Sequence, residues 1–292
     1  MISVSPQRIL LLGATGLLGQ ALVHEAQVRG VAVIGIARRG CEHSLDLADG
    51  RQILELMELT APDIVINAAG LTNLDTCEQA PAQAYAVNAR AVSLVAESCR
   101  RLGCRLIQVS TDHYYTGDCD GVHDEEAQIN LVNEYARTKF AGEAFALTVP
   151  DALVIRTNIT GRRDWAEPTF FEWAVNSLHS RAPLSLFDDY FTSTIDVASL
   201  GRAIFDLADA RASGVINVAS RQVASKREFV EAIARALCID LDWATTTSVA
   251  KLAVPRAESA GLAVSRAEAI LGYALPDLSA VVAALTAEEV AA

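Results

Sequence analysis

Apolar residues fall along the chain in two alternating rhythms. Short continuous runs have the length and the Val/Ile/Leu content of strands buried on both faces: RILLLG from Arg8, VAVIGIA from Val31, DIVINAAG from Asp63, CRLIQVSTD from Cys104 and ALVIRTN from Ala152. Between them lie longer stretches with helical spacing. LLGQALVHEAQVRG closes at Gly30, and the segment after Asp46 stops at Pro62. A long run from Ala80 ends at Gly103, and EYARTKFAGEAFAL follows a polar loop. Strand–helix alternation of this kind predicts an α/β fold, a Rossmann-type doubly wound parallel sheet with helices on both faces.

The rhythm is regular to Asn158 and mixed beyond it. Residues 1–158 are therefore expected to form the parallel-sheet domain, with a return segment near 190–220 that includes GVINVAS. Residues 159–189 and 220–292 are expected to form a smaller mixed α/β lobe. No internal repeat or low-complexity linker separates them.

Composition narrows the function classes. Acidic residues outnumber basic ones 36 to 24, and no Lys/Arg-rich stripe interrupts this excess, so nucleic acid is not an expected partner. No run of apolar residues is long enough for a membrane span. The start, MISVSPQRILLLGATG, reads as a strand and not as a signal peptide. Six scattered cysteines show neither Cys-x-x-Cys nor zinc-site spacing, which predicts a reduced, cytoplasmic protein with no metal site.

The first strand runs into LLLGATGLLG, with Gly13, Gly16 and Gly19 between strand and helix. This turn suits a dinucleotide: Gly13 for the sharp turn, Gly16 for close approach of a pyrophosphate, Gly19 for tight packing of the helix. Free N–H groups and the helix dipole then face the phosphates, with Thr15, Leu17 and Leu18 around them. The second strand ends at Arg38 and Arg39, where an acidic residue would select a ribose 2′-hydroxyl. Guanidinium groups there suit a 2′-phosphate, so NADPH is expected, with NADH as the alternative. The other reading of both arginines is solvated surface charge.

Tyr135 and Lys139 stand four residues apart, one helical turn on one face. The spacing alone suits an exposed helix surface as well as an acid–base pair. Four stretches change that balance: GATGLLG, NAAGLTNLDTCE, VSTDHYYTGD and EYARTK. Together they resemble the extended short-chain dehydrogenase/reductase family. NAAGLTNLDTCEQAPAQAYAVN and the late PRAESAGLAVSRAEAILGY make the chain most similar to its dTDP-4-dehydrorhamnose reductase group.

The resemblance implies a catalytic set of Thr111, Tyr135 and Lys139. Tyr135 would protonate a sugar ketone, Lys139 would favour the phenolate and hold the nicotinamide ribose, and Thr111 would polarise the carbonyl. It also implies cofactor contacts from Asp46 and Leu47 at the adenine, from Ala68, Ala69 and Gly70 after the strand from Asp63, and from Thr72. Asn88 fits a structural role as well as a functional one. On the substrate side stand Asp112, His113, Arg162 and Arg256, the arginines as partners of a nucleotide diphosphate or, in the other reading, plain surface charge, and Asp112 as a substrate contact or a capping or turn carboxylate. His113 departs from the group, which has tyrosine there, and the segments RTNITGRRDW and FDDYFTSTID also differ. Phe170, Phe171 and Trp173 read as core, with stacking on a base as the alternative.

These features imply an NADPH-dependent reductase of a keto nucleotide sugar, for which a homodimer is a compatible assembly. An epimerase or dehydratase of the same fold is an alternative. So is a non-catalytic dinucleotide-binding subunit like that of methionine adenosyltransferase.

Overall fold

A computed structural model describes residues 8–41, 43–163, 165 and 167–291. In chain order the first elements are β1 (Ile9–Leu12), α1 (Leu17–Val28), β2 (Val33–Ala37), β3 (His43–Ser44), α2 (Gly50–Thr60) and β4 (Ile64–Asn67). Next come α3 (Leu74–Gln79), α4 (Pro81–Tyr85), a π-helical turn (Ala86–Arg90), α5 (Ala91–Leu102), β5 (Arg105–Val109) and β6 (Val122–His123). The middle of the chain supplies α6 (Glu134–Ala146), β7 (Leu153–Arg156), β8 (Asn158–Thr160), α7 (Phe170–Ser180), β9 (Ser185–Phe187), β10 (Phe191–Thr192) and β11 (Thr194–Asp196). It ends with α8 (Val197–Asp209), β12 (Gly214–Asn217), β13 (Ala224–Ser225), α9 (Lys226–Ala236), β14 (Thr245–Thr247), β15 (Ser259–Leu262), α10 (Ser265–Leu271) and α11 (Leu278–Ala291).

Two compact units divide these elements. The first comprises residues 1–110, 133–155 and 204–216. Its sheet has the order β12-β7-β5-β4-β1-β2-β3, and every pairing from β7 to β3 is parallel. Strand order reverses between β1 and β4, which is where open α/β sheets place ligands at the strands' carboxyl ends. Leu10, Leu12, Val65, Leu106 and Val154 from the strands pack against Ile53 and Met57 of α2 and against Val92, Val95 and Cys99 of α5. The helix ends follow the residues that punctuate them. Gly30 and Gly103 take left-handed backbone just past α1 and α5, and α2 ends before Pro62.

The second unit comprises residues 111–132, 156–203 and 217–292. It holds a mixed four-stranded sheet, β13-β10-β15-β6, and two small parallel pairs, β11-β8 and β14-β9. Its core joins Phe171, Val175 and Leu178 of α7, Phe229, Val230 and Ile233 of α9, and Val281, Val282 and Leu285 of α11. Capping boxes start α7 (Thr169 with Glu172) and α9 (Ser225 with Glu228).

The division differs from the sequence boundaries in two places. Residues 111–132 group with the second unit, and the segment returning to the first is 204–216. Neither shows in the hydrophobic pattern, because the strands of the second unit that receive 111–132 are two to four residues long. The single long helix expected after Ala80 is α4, a π-helical turn and α5 in succession.

Candidate functional site

In the first unit the glycine-rich turn has the backbone that its sequence suggests. Gly13 adopts φ +88, and a Cβ there would lie 2.9 Å from the backbone N of Ala69. The turn after β1 therefore passes directly against Ala68 and Ala69 after β4, on either side of the strand-order reversal. The Gly13 and Ala14 amides both donate to the Ile36 carbonyl, at 2.8 and 3.0 Å. Gly19 is required by the turn itself: a Cβ would stand 2.0 Å from the Gly13 carbonyl oxygen. Gly16 is the N-cap of α1, with no side chain capping the helix and no acidic residue in its first turn. Those N–H groups and the dipole suit a pyrophosphate, so the residues present fit a dinucleotide.

At the rim, Arg38 and Arg39 are exposed, and no ion pair among the described residues engages them. Asp46 accepts a hydrogen bond from the Ala48 amide at 2.9 Å, which makes it a turn carboxylate. Leu47 packs on the core. Gly70 and Thr72 are exposed.

Tyr135 and Lys139 lie in α6, started by Asn133, whose side chain accepts from the Ala136 amide at 2.8 Å. Both are buried. Tyr135 packs with Cys77, Ala84, Leu71 and Leu74. Lys139 Nζ donates to the Val109 carbonyl at the end of β5, at 2.8 Å, and lies 3.8 Å from where a Gly70 Cβ would be. Burial pushes the lysine down to about 8, and Glu143 one turn further on works against that shift. The side chain thus keeps its charge at neutral pH. Glu143 is buried and accepts from Ser110 Oγ at 2.5 Å. A Lys-x-x-x-Glu spacing in KFAGE was the signal for this support, and the sequence reading did not use it.

Asn88 is structural. From the π-helical turn its Oδ1 accepts from the Leu71 amide (2.8 Å), and its Nδ2 donates to the Leu71 carbonyl (2.9 Å) and to Thr138 Oγ1 (3.1 Å). It thereby fixes the loop after β4 to α6. Asn88→Ala removes all three bonds, and we expect a loss of about 1–3 kcal/mol of unfolding free energy, read by urea denaturation.

Thr111, Asp112 and His113 belong to the second unit and are buried. Thr111 Oγ1 donates to Asp112 Oδ1 at 3.3 Å and accepts from the His113 amide at 3.2 Å. Asp112 Oδ2 accepts from Asn158 Nδ2 at 2.8 Å. Burial pushes Asp112 up to about 6, opposed by Lys226 and by the bonds from Asn158 and Thr111. His113 is pushed down to about 3 by burial, Arg256 and Lys226, so its ring is neutral, and Nε2 accepts from the Ala257 amide at 3.4 Å. That contact anchors the 111–113 segment to the strand region before β15.

Of the arginines, Arg162 stacks over Phe171 at 4.9 Å, whereas Arg256 Nη1 is buried with no hydrogen-bond partner among the described residues. Phe171 is fully buried core, but Trp173 is exposed and stacks on Phe170 at 5.7 Å. Among the described residues, no cluster of three His, Cys, Asp or Glu could hold a metal ion, and no helix is long and apolar enough to cross a membrane.

Known proteins match this arrangement over nearly the whole chain. The RmlD substrate binding domain matches residues 7–290. The probable low-salt glycan biosynthesis reductase Agl14 of Haloferax volcanii is 31% identical, covering 94% of this chain and 96% of that protein. A dTDP-4-dehydrorhamnose reductase of Mycobacterium tuberculosis is 32% identical, covering 75% of this chain and 72% of its own length. The crystal structure of dTDP-4-dehydrorhamnose reductase from Bacillus anthracis in complex with NADP superposes with a TM-score of 0.87. It is 23% identical and covers 97% of this chain and 99% of that one.

Proposed function

Because the chain belongs to the RmlD substrate binding domain family, we propose that it is an NADPH-dependent reductase of a keto group on a nucleotide-activated 6-deoxy sugar. One observation carries this reading. The buried Lys139 ammonium, in the same helix as Tyr135, is bonded to the carboxyl end of β5 in the unit that also holds the glycine turn.

Bound NADPH supplies the hydride. Tyr135 donates its phenolic proton to the carbonyl oxygen, and the Lys139 ammonium stabilises the phenolate left behind. Thr111 polarises the carbonyl by hydrogen bonding. The buried, unpartnered Nη1 of Arg256 is a donor for the diphosphate of the substrate, and a charge-assisted bond there would satisfy it. Asp112 and His113 shape the sugar pocket. Gly13, Thr15, Gly16, Leu17 and Leu18 would hold the pyrophosphate, Asp46 and Leu47 the adenine, and Ala68, Ala69, Gly70 and Thr72 the rest of the cofactor. Arg38 and Arg39 would hold the 2′-phosphate. The reading includes a cytoplasmic location, which the six free cysteines support, and it allows a homodimer.

Oxidation of NADPH against a panel of keto nucleotide sugars tests the activity. Consumption with a 4-keto-6-deoxy sugar is the expected result. NADPH that binds and is consumed by none of them would favour a binding subunit. Replacing Arg38 and Arg39 by glutamine should weaken NADPH binding by about 10-fold or more and leave NADH nearly unchanged, as measured by cofactor fluorescence titration. Equal losses for the two cofactors would refute the 2′-phosphate assignment.

A further inference from the structure

Lys226 of the second unit is a cation that burial and its place at a helix start oppose, and that two aromatic faces and Asp112 favour. It is the first residue of α9, where the helix dipole is positive. Its ammonium lies 5.0 Å from the ring centre of Phe170 and 5.4 Å from that of Tyr190. Burial pushes it down to about 8, and Asp112 acts against that shift. The two rings and the Asp112 carboxylate therefore compensate the partly buried charge.

A continuous polar chain leads away from it. Lys226 Nζ donates to Thr192 Oγ1 at 3.1 Å and reaches Thr194 Oγ1 at 3.5 Å. The Thr194 hydroxyl donates to Asn158 Oδ1 at 2.8 Å, and Asn158 Nδ2 donates to Asp112 Oδ2 at 2.8 Å. Asp112 Oδ1 accepts from Thr111 Oγ1 at 3.3 Å. Thr192, Thr194, Asp112 and Thr111 are all buried, so solvent does not substitute for these bonds.

We propose that Lys226 is a positioning residue that sets the charge on Asp112 and thereby selects which partner receives the Thr111 proton. The inference rests on the reading of Thr111 as the group that polarises the ketone. A hydroxyl has one proton to donate. While Asp112 is a carboxylate, Oδ1 at 3.3 Å competes with substrate for that proton. When Asp112 takes a proton from solvent, its own O–H can donate to Thr111 Oγ1, and the threonine proton is released toward a substrate oxygen.

Among the described residues, Lys226 on α9 is the charge that acts on Asp112, Arg256 and Lys226 act on the neutral His113, and the Tyr190 ring faces the Lys226 ammonium. Lys226 is the cation that favours the carboxylate against its burial. With the Asp112 titration near pH 6, its removal moves the exchange of partners toward neutrality. The bland alternative is that Lys226 only fills space among the aromatic rings, and it predicts no change at Asp112.

The test is infrared difference spectroscopy of the full chain over pH, with Asp112→Asn identifying the protonated carboxyl band. Lys226→Met should raise the midpoint of that band by about one pH unit or more, and Lys226→Arg should keep it near the wild-type value. If Lys226→Met fails to fold by circular dichroism, Lys226→Gln, which retains a donor to Thr192, carries the same expectation. A midpoint in the folded neutral variant that coincides with wild type overturns the proposal. The pH dependence of kcat/KM for sugar reduction should move with the band and return in Lys226→Arg. A moving band with an unmoved profile would overturn the link to Thr111. The spectroscopic arm needs no turnover, so it decides the Lys226–Asp112 link even if no nucleotide sugar is reduced.

Discussion

Tyr135→Phe is expected to lower the rate of sugar reduction by about 100- to 10,000-fold while NADPH still binds. The substitution deletes one oxygen. The ring that packs with Cys77, Ala84, Leu71 and Leu74 remains, so the surroundings of α6 keep their shape. What is lost is the proton donor to the developing alkoxide. Single-turnover kinetics with saturating NADPH separates this from a binding defect, and fluorescence titration checks cofactor affinity independently. A variant that reduces substrate at the wild-type rate would remove Tyr135 from the chemistry. If both rate and cofactor affinity collapse, the residue is acting through the fold.

Gly19→Ala is expected to have the second-largest effect. The new methyl would stand 2.0 Å from the Gly13 carbonyl oxygen and 2.7–2.8 Å from the backbone of Ala14. Both obstacles are main chain, so no side chain can rotate away. The turn must open or α1 must shift, at about 1–3 kcal/mol for overpacking a tight site. Because the same turn presents the N–H groups to the pyrophosphate, dinucleotide affinity should fall about 10- to 100-fold. Gly30→Ala is the control: its φ is positive, unlike that of Gly19, but nothing lies within 4 Å, and cofactor affinity should be unaffected. Isothermal titration of both variants with NADPH makes the comparison. Equal affinities would show that the close approach at Gly19 does not shape the dinucleotide site.

The first unit was legible in the sequence because its physics is local. Buried parallel strands write continuous apolar runs, Gly13 and Gly19 mark a turn that admits no Cβ at either position, and Tyr135 and Lys139 share a helical face. The second unit was less legible. Strands such as β6, β10 and β13 are two residues long, too short to display a period, and their pairings join distant segments. Residues 111–132 followed a strand of the first unit and gave no composition shift to separate them.

The polar chain from Thr111 to Lys226 was invisible for a related reason. It is assembled from four separate stretches, around positions 111, 158, 192 and 226, and each contributes residues that look ordinary alone. The serine and glutamate of the α9 capping box were readable in SKRE, but the lysine between them carries no motif of its own. His113 was expected on the substrate side. Its neutral ring accepts from the Ala257 amide, an anchoring role that only the fold reveals. Asn88 was left between two roles by the sequence, and its three hydrogen bonds to Leu71 and Thr138 explain its position in a π-helical turn.

Reduction differs from epimerisation or dehydration on the same scaffold in the source of the new hydrogen. Incubating the protein with a dTDP-4-keto-6-deoxy sugar and NADPH deuterated at the transferable position, followed by NMR of the sugar, tests this directly. Reduction places one deuterium on the former ketone carbon for each NADPH consumed. A ketone that persists with NADPH unconsumed, or a product whose new hydrogen comes from water, would contradict it.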